Sequence, residues 1–167
     1  RVFSVENAKS ARAFLADVGM PCPIQELRIS VIGSGPQVEI KLLKEGTSVG
    51  ILSEAGCPAI ADPGASLVEA AHREGIHVVP LVGPSSLVLA LMASGLEGQR
   101  FAFCGYLPRD KEERARRIAE LEKRSGKEGE TQIFIETPYR NDVLLGALLE
   151  SCRSETKLCL ASDLTLH

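Results

Sequence analysis

Ser53-Glu54-Ala55-Gly56-Cys57-Pro58-Ala59-Ile60-Ala61-Asp62-Pro63-Gly64 is a stretch with two glycines, two prolines and two carboxylates. An apolar run at residues 48–53 leads into it, and a helical pattern at 66–74, closed by Gly75, follows it. The stretch therefore reads as the connection of a βα unit. Working back, a strand is expected at 28–32 and a helix at 36–44 opened by Pro36; before them come a strand at 2–5 and a helix at 6–18 ended by Gly19. Working forward, a strand at 76–80 precedes a second Gly/Pro turn, Val82-Gly83-Pro84-Ser85-Ser86, and an almost wholly apolar helix ending at Gly95 that is expected to be buried on most sides. Beyond it the run starts again: strand at 101–104, charged helix at 110–124, strand at 131–135, helix at 139–150, strand at 157–161. Strands alternating with helices over the whole length predict an α/β fold with mostly parallel sheets. The polar break after Leu96 places a domain boundary there, with an N-terminal α/β domain at 1–97 and a C-terminal, incomplete one at 98–167.

Composition narrows the class. A hydrophobic share of 44% with 25% charged residues is that of an ordinary globular protein. The net charge of −3 argues against a module held to nucleic acid by overall charge, though not against a local basic patch. Five cysteines with no C-x-x-C pair read as free thiols of a reducing compartment, so a cytoplasmic protein is expected. Three histidines without zinc-ligand spacing predict no metal site. The longest apolar stretch, 86–93, is too short to span a bilayer, and no leader opens the chain. A strand at the very start and another just before His167 make both ends read as cut.

Open α/β sheets bind ligands beyond the carboxyl ends of their strands. Glycine lets a ligand approach backbone there, and proline stiffens the path, so the long loop at 53–64 is the first candidate site. The turn at 82–86 is the second: a helix N-terminus with two serines suits an anionic group, although simple helix capping by Ser85 or Ser86 accounts for the same residues.

These residues carry a resemblance. The stretch 53–64 is similar to S-D-A-G-T-P-x-I-S-D-P-G, Pro80–Ser86 to V-P-x-P-G-P-S-A, 101–108 to R-F-x-F-x-G-F-L-P, and Phe134-Ile-Glu-Thr-Pro-Tyr-Arg140 to F-Y-E-S-P-H-R, four motifs in one order. They belong to the tetrapyrrole (corrin/porphyrin) methylase superfamily, and within it to the ribosomal RNA small subunit methyltransferase I branch. The resemblance implies two α/β domains with S-adenosylmethionine in the cleft between them, in a homodimer, and methylation of a ribose hydroxyl of small-subunit ribosomal RNA. Carried over by position, cofactor contacts would be Gly56, Cys57, Ile60, Ser85, Ser86 and Ile135, and Glu6 and Glu136 would be catalytic carboxylates. The plainer alternatives are that Glu6 favours its helix N-terminus by charge and that Glu136 binds a loop amide.

Departures from the pattern mark where function is open. Glu6-Asn7-Ala8-Lys9 stands for E-D-T-R, Ser162-Asp163-Leu164-Thr165-Leu166 for R-E-L-T-K, and Cys57 for a threonine. Val31-Ile32-Gly33-Ser34-Gly35-Pro36 looks like the V-G-x-G-P loop of porphyrin and corrin methylases but follows the wrong strand, and reads as a turn with a helix-starting proline. The basic residues of helix 110–124 suit either an RNA-facing surface or a solvated, ion-paired helix. A tetrapyrrole or other small-molecule methyltransferase, and a non-catalytic relative that binds cofactor or RNA, are the alternatives in function.

Overall fold

A computed structural model describes residues 1–33 and 35–166. Ser34, inside the Val31–Pro36 stretch, lies outside the described residues. By contact the chain divides into two compact units, Arg1–Ser85 and Ser86–His167. The apolar helix after the second Gly/Pro turn thus groups with the second unit, ahead of the compositional break at 97/98.

The first unit is β1 (Val2–Val5), α1 (Ala8–Asp17), β2 (Arg28–Val31), α2 (Gln37–Lys44), β3 (Val49–Leu52) and α3 (Ala65–Arg73). Its three strands are parallel in the order β2-β1-β3, with Val5 level with Val31 on one side and Leu52 on the other. β1 is central, which is why Val5 is fully buried, and Leu15, Leu67 and Ala71 join it in the core. Phe3 sits opposite Gly50 across the ladder, its ring carbons only 2.8 Å from where a Cβ on Gly50 would stand. Beneath the sheet, the buried Glu39 of α2 accepts hydrogen bonds from Ser30 Oγ at 2.6 Å and Ser4 Oγ at 3.4 Å, tying α2 to β1 and β2.

The second unit holds α4 (Ser86–Ser94), β4 (Phe101–Tyr106), α5 (Lys111–Glu128), β5 (Thr131–Ile135) and α6 (Asn141–Ser151). β4 and β5 pair in parallel, and Leu107, Ile118, Leu121, Leu144 and Leu148 form one core cluster. α5 starts at Asp110, whose side chain accepts from the amides of Glu112 and Glu113, and ends at Gly129 in the left-handed region. Some of its charges are paired: Arg117 with Glu120 at 3.2 Å, Arg124 with Glu130 at 2.7 Å, Glu122 with Arg153 at 3.5 Å.

Three expectations are corrected. Residues 76–80 and 157–161 form no strands, since a β-run is a strand only beside a partner, and none lies alongside them among the described residues. The apolar helix α4 has no buried residue, and Met92 is 75% exposed. Apolar composition sets what a helix can bury, not whether a surface is there to cover it. No helix among the described residues is long and apolar enough to cross a membrane.

Candidate functional site

The carboxyl ends of β1 and β3 open onto a cavity of about 360 Å³ in the first unit. Glu6, Asn7 and Ser10 line one side, and Glu54, Gly56, Pro58 and Pro84 the other. Each wall is built locally. Glu6 directly follows β1, where its amide donates to Leu52 O at 3.1 Å and so continues the ladder. Asn7 then caps α1, its Oδ1 accepting from Lys9 N at 2.9 Å. Capping α1 therefore falls to Asn7, while the Glu6 carboxylate reaches across and accepts from the amide of Glu54 at 2.9 Å. Ser10 Oγ in turn donates to the Glu54 carboxylate. One acid thus holds the start of the long loop.

That loop is strained along its length. Gly56 (φ 70°) and Gly64 (φ 132°) take conformations open to glycine, but Ala59 (φ 66°) and Ala61 (φ 61°) take left-handed ones too. Such alanines are uncommon, and they persist only where surrounding structure enforces them. Here Ile60 N donates to Cys57 O and Ala59 N to Pro63 O, each at 3.2 Å, closing two short turns. Strain of this kind gathers at functional loops. A Cβ added at Gly56 meets nothing within 4 Å, so the backbone there is open to an approaching ligand. Asp62 has its carboxyl pushed above the usual range, first by desolvation and then by the charge of Glu6, with the Ser53 hydroxyl opposing.

Cys57 does not line the cavity. Its thiol donates to Pro84 O at 3.3 Å, fastening the first loop to the second. Pro84 stops short of α4, so it acts as this anchor and not as a first-turn residue. Ile60 is exposed, Ser85 is half-buried and Ser86 begins α4.

Ile135 ends β5 in the second unit, and Glu136 follows it. The Glu136 carboxylate accepts from the amide of Thr137 at 2.8 Å through Oε1, while Oε2 lies 3.2 Å from Arg140 Nη2. It lines a second cavity, of about 330 Å³, together with Tyr106, Arg109, Tyr139 and Arg140. Glu6 and Glu136 thus belong to different units and different cavities, and each binds a backbone amide. Sequence reading missed the Glu6–Glu54 tie, the Cys57–Pro84 clasp and the grouping of Tyr106, Arg109 and Tyr139. Among the described residues no cluster of histidine, cysteine or acidic side chains is placed to hold a metal ion.

A parallel α/β unit with a strained Gly/Pro loop over its strand ends is an architecture that places a ligand site beyond the carboxyl ends of the strands. Residues 28–167 match the family model described as Tetrapyrrole (Corrin/Porphyrin) Methylases, and the chain belongs to that family. It is 45% identical over 129 residues to the ribosomal RNA small subunit methyltransferase I of Thermotoga maritima, covering 77% of this chain and 55% of that one. With the protein of the same name from Mesorhizobium japonicum it is 40% identical over 132 residues, 79% of this chain and 43% of that one. The Haemophilus influenzae protein of that name is 29% identical over 98% of this chain and 56% of its own. The chain therefore spans about half the length of the curated relatives it matches. A crystal structure of the methyltransferase CobJ superposes with a TM-score of 0.48 at 16% identity, over 91% of this chain and 76% of that one.

Proposed function

We propose that this chain is part of an S-adenosylmethionine-dependent methyltransferase that modifies a ribose hydroxyl of small-subunit ribosomal RNA, as a cytoplasmic homodimer. The observation that carries the proposal is the cavity over β1 and β3, whose lining combines the open backbone of Gly56 with the carboxylates of Glu6 and Glu54. Its volume of about 360 Å³ falls in the range of small-molecule sites, roughly 300–1,000 Å³. The residues fit the cofactor: Glu6 and Glu54 complement a cationic sulfonium, and no Cβ obstructs approach at Gly56. Of the residues carried over by position, Gly56 lines the cavity and would hold the cofactor together with Glu6, Asn7 and Pro58, while Cys57 would act by fastening the loop to Pro84. When bound, the cofactor supplies an electrophilic methyl carbon. The protein's own work is to align the acceptor, exclude water and take the hydroxyl proton, for which Glu6 is the candidate base. The names carried by the relatives support an RNA acceptor.

The test is incubation of the full-length protein with methyl-tritiated cofactor and small ribosomal subunits from cells lacking the corresponding enzyme. Label is expected in RNA, at a linkage that resists alkaline hydrolysis because a methylated 2′-oxygen cannot attack its phosphate. Label on a base, or none in RNA, contradicts the assignment.

A further inference from the structure

The basic residues of α5 divide by what each one does. Arg114 is buried and donates to the carbonyls of Pro108 at 3.3 Å and Arg109 at 2.8 Å, so its charge is turned inward. Arg117 and Arg124 are taken up by Glu120 and Glu130. Arg116, Lys123 and Lys127 are exposed, and among the described residues none of them enters an ion pair. At about 3.6 residues per turn the three fall within about 40° of one another, opposite the buried Arg114, Ile118 and Leu121, and span ~16 Å along the axis. Lys111, also exposed, lies about 140° round the helix from Arg116 and is no part of this stripe.

Electrostatics within the helix does not account for the stripe. Glu120 lies on the same face, four residues from Arg116 and three from Lys123, yet pairs with Arg117 at 3.2 Å. Lys123 and Lys127 stand four residues apart, a spacing at which like charges repel. The helix dipole favours a cation in the last turn, which covers Lys127 alone. The chain carries a net charge of −3, so a row of unneutralised cations is not the by-product of a basic protein.

The chemistry of this face selects its partner. No aromatic side chain occurs from Lys111 to Glu128, so nothing on the helix stacks on a base. Ile118 and Leu121, its two large apolar residues, are spent in the core, which leaves no apolar edge to enter a lipid layer. Spaced cations without stacking or inserting groups match a repeating anion, the phosphate backbone of a nucleic acid.

We propose that Arg116, Lys123 and Lys127 hold the sugar-phosphate backbone of the RNA substrate, binding it by charge and without reading its sequence. The inference rests on the RNA-methyltransferase reading and adds which surface carries the RNA and by what force.

The experiment is fluorescence anisotropy of the full-length protein with two fluorescein-labelled single-stranded RNAs of equal length and unrelated sequence, over a range of salt. Arg116→Gln, Lys123→Gln and Lys127→Gln combined keep a good helix former at each exposed position, and circular dichroism checks the fold. Losing three phosphate contacts is expected to lower the slope of log affinity against log salt by about two. Binding at low salt is expected to weaken roughly 10- to 100-fold, equally for both RNAs. Arg12→Gln, Arg28→Gln and Lys41→Gln combined make the same change of net charge at exposed positions of the first unit, and should leave the slope at the wild-type value. A wild type that binds neither RNA, a stripe variant that binds as the wild type does, or an equal loss in the first-unit variant overturns the inference. Binding to phosphatidylglycerol vesicles that the stripe variant loses, with RNA binding unchanged, overturns it as well. Calorimetry with S-adenosylmethionine on the same samples keeps the two readings apart. The expected change of slope in a protein that binds no cofactor upholds the surface and removes the methyltransferase reading; cofactor binding with no change of slope removes the surface alone.

Discussion

Replacing Gly64 with alanine probes how tightly the site loop is held. Gly64 has φ 132°, outside the conformations open to L-residues, and a Cβ there would stand 3.4 Å from Ala59 N and 3.6 Å from a methyl of Ile51. The conformational cost is at least the ~1–2 kcal/mol of a left-handed residue. Stiffening the unfolded chain returns about 0.4–1 kcal/mol. Those contacts are of ordinary van der Waals length, so the cost is chiefly that of a backbone conformation less open to L-residues than the one at Gly56. Net destabilisation of roughly 1–2 kcal/mol is expected, which shifts a urea midpoint by about 0.5–1 M at ordinary slopes. Gly56→Ala is the comparison: φ is 70° and nothing lies within 4 Å, so only the backbone cost applies, about 0.5–1 kcal/mol after the same offset. Urea unfolding followed by circular dichroism measures both. A Gly64→Ala protein as stable as wild type, or less damaged than Gly56→Ala, refutes the reasoning.

Desolvation, then the charge of Glu6, raise the Asp62 carboxyl above its ordinary 3.8, so folding favours its neutral form more than the unfolded chain does. The stability this contributes is fully present below that value and is lost as pH rises through the folded pKa. Asp62→Asn should therefore melt higher than wild type near neutral pH, with a gap that closes towards acid; a gap independent of pH contradicts it. Glu39→Ala removes the acceptor shared by Ser30 and the buried Ser4, and should cost about 1–3 kcal/mol in denaturant unfolding, more than removing an exposed glutamate such as Glu26. Among thiols, Cys159 is exposed, while burial raises Cys104 and Cys152 above their usual range. Mass spectrometry of a timed iodoacetamide reaction should find Cys159 labelled first and those two last; early labelling of Cys104 breaks the burial pattern.

Strands β1, β2 and β3 and the helices between them were legible because glycine and proline punctuate every junction except that of β1 with α1, and helix propensity needs no distant partner to show. The loop at 53–64 was legible for the same reason, since two glycines and two prolines between a strand and a helix mark a built connection. The failures share a different cause. Residues 76–80 and 157–161 have strand composition, but pairing is a property of two segments and composition describes one. The exposure of α4 depends likewise on neighbours the helix does not encode. At the site, the family resemblance singled out Glu6 by position, yet its partner lies 48 residues further on, at the amide of Glu54. Asn7, marked as a departure from the family pattern, is the residue that caps α1. Tyr106, Arg109 and Tyr139 come together only because the β4 exit and the β5 exit lie side by side in a parallel pair.

The central claim is that the strained loop at 53–64 binds S-adenosylmethionine. Isothermal calorimetry of the full-length protein with S-adenosylmethionine and S-adenosylhomocysteine, repeated on Gly56→Trp after circular dichroism has shown the variant folded, tests it most directly. The account predicts saturable binding of both ligands by the wild type and its loss in the variant, whose indole fills the open space at Gly56. A folded wild type that binds neither ligand, or a Gly56→Trp protein that binds as the wild type does, contradicts it.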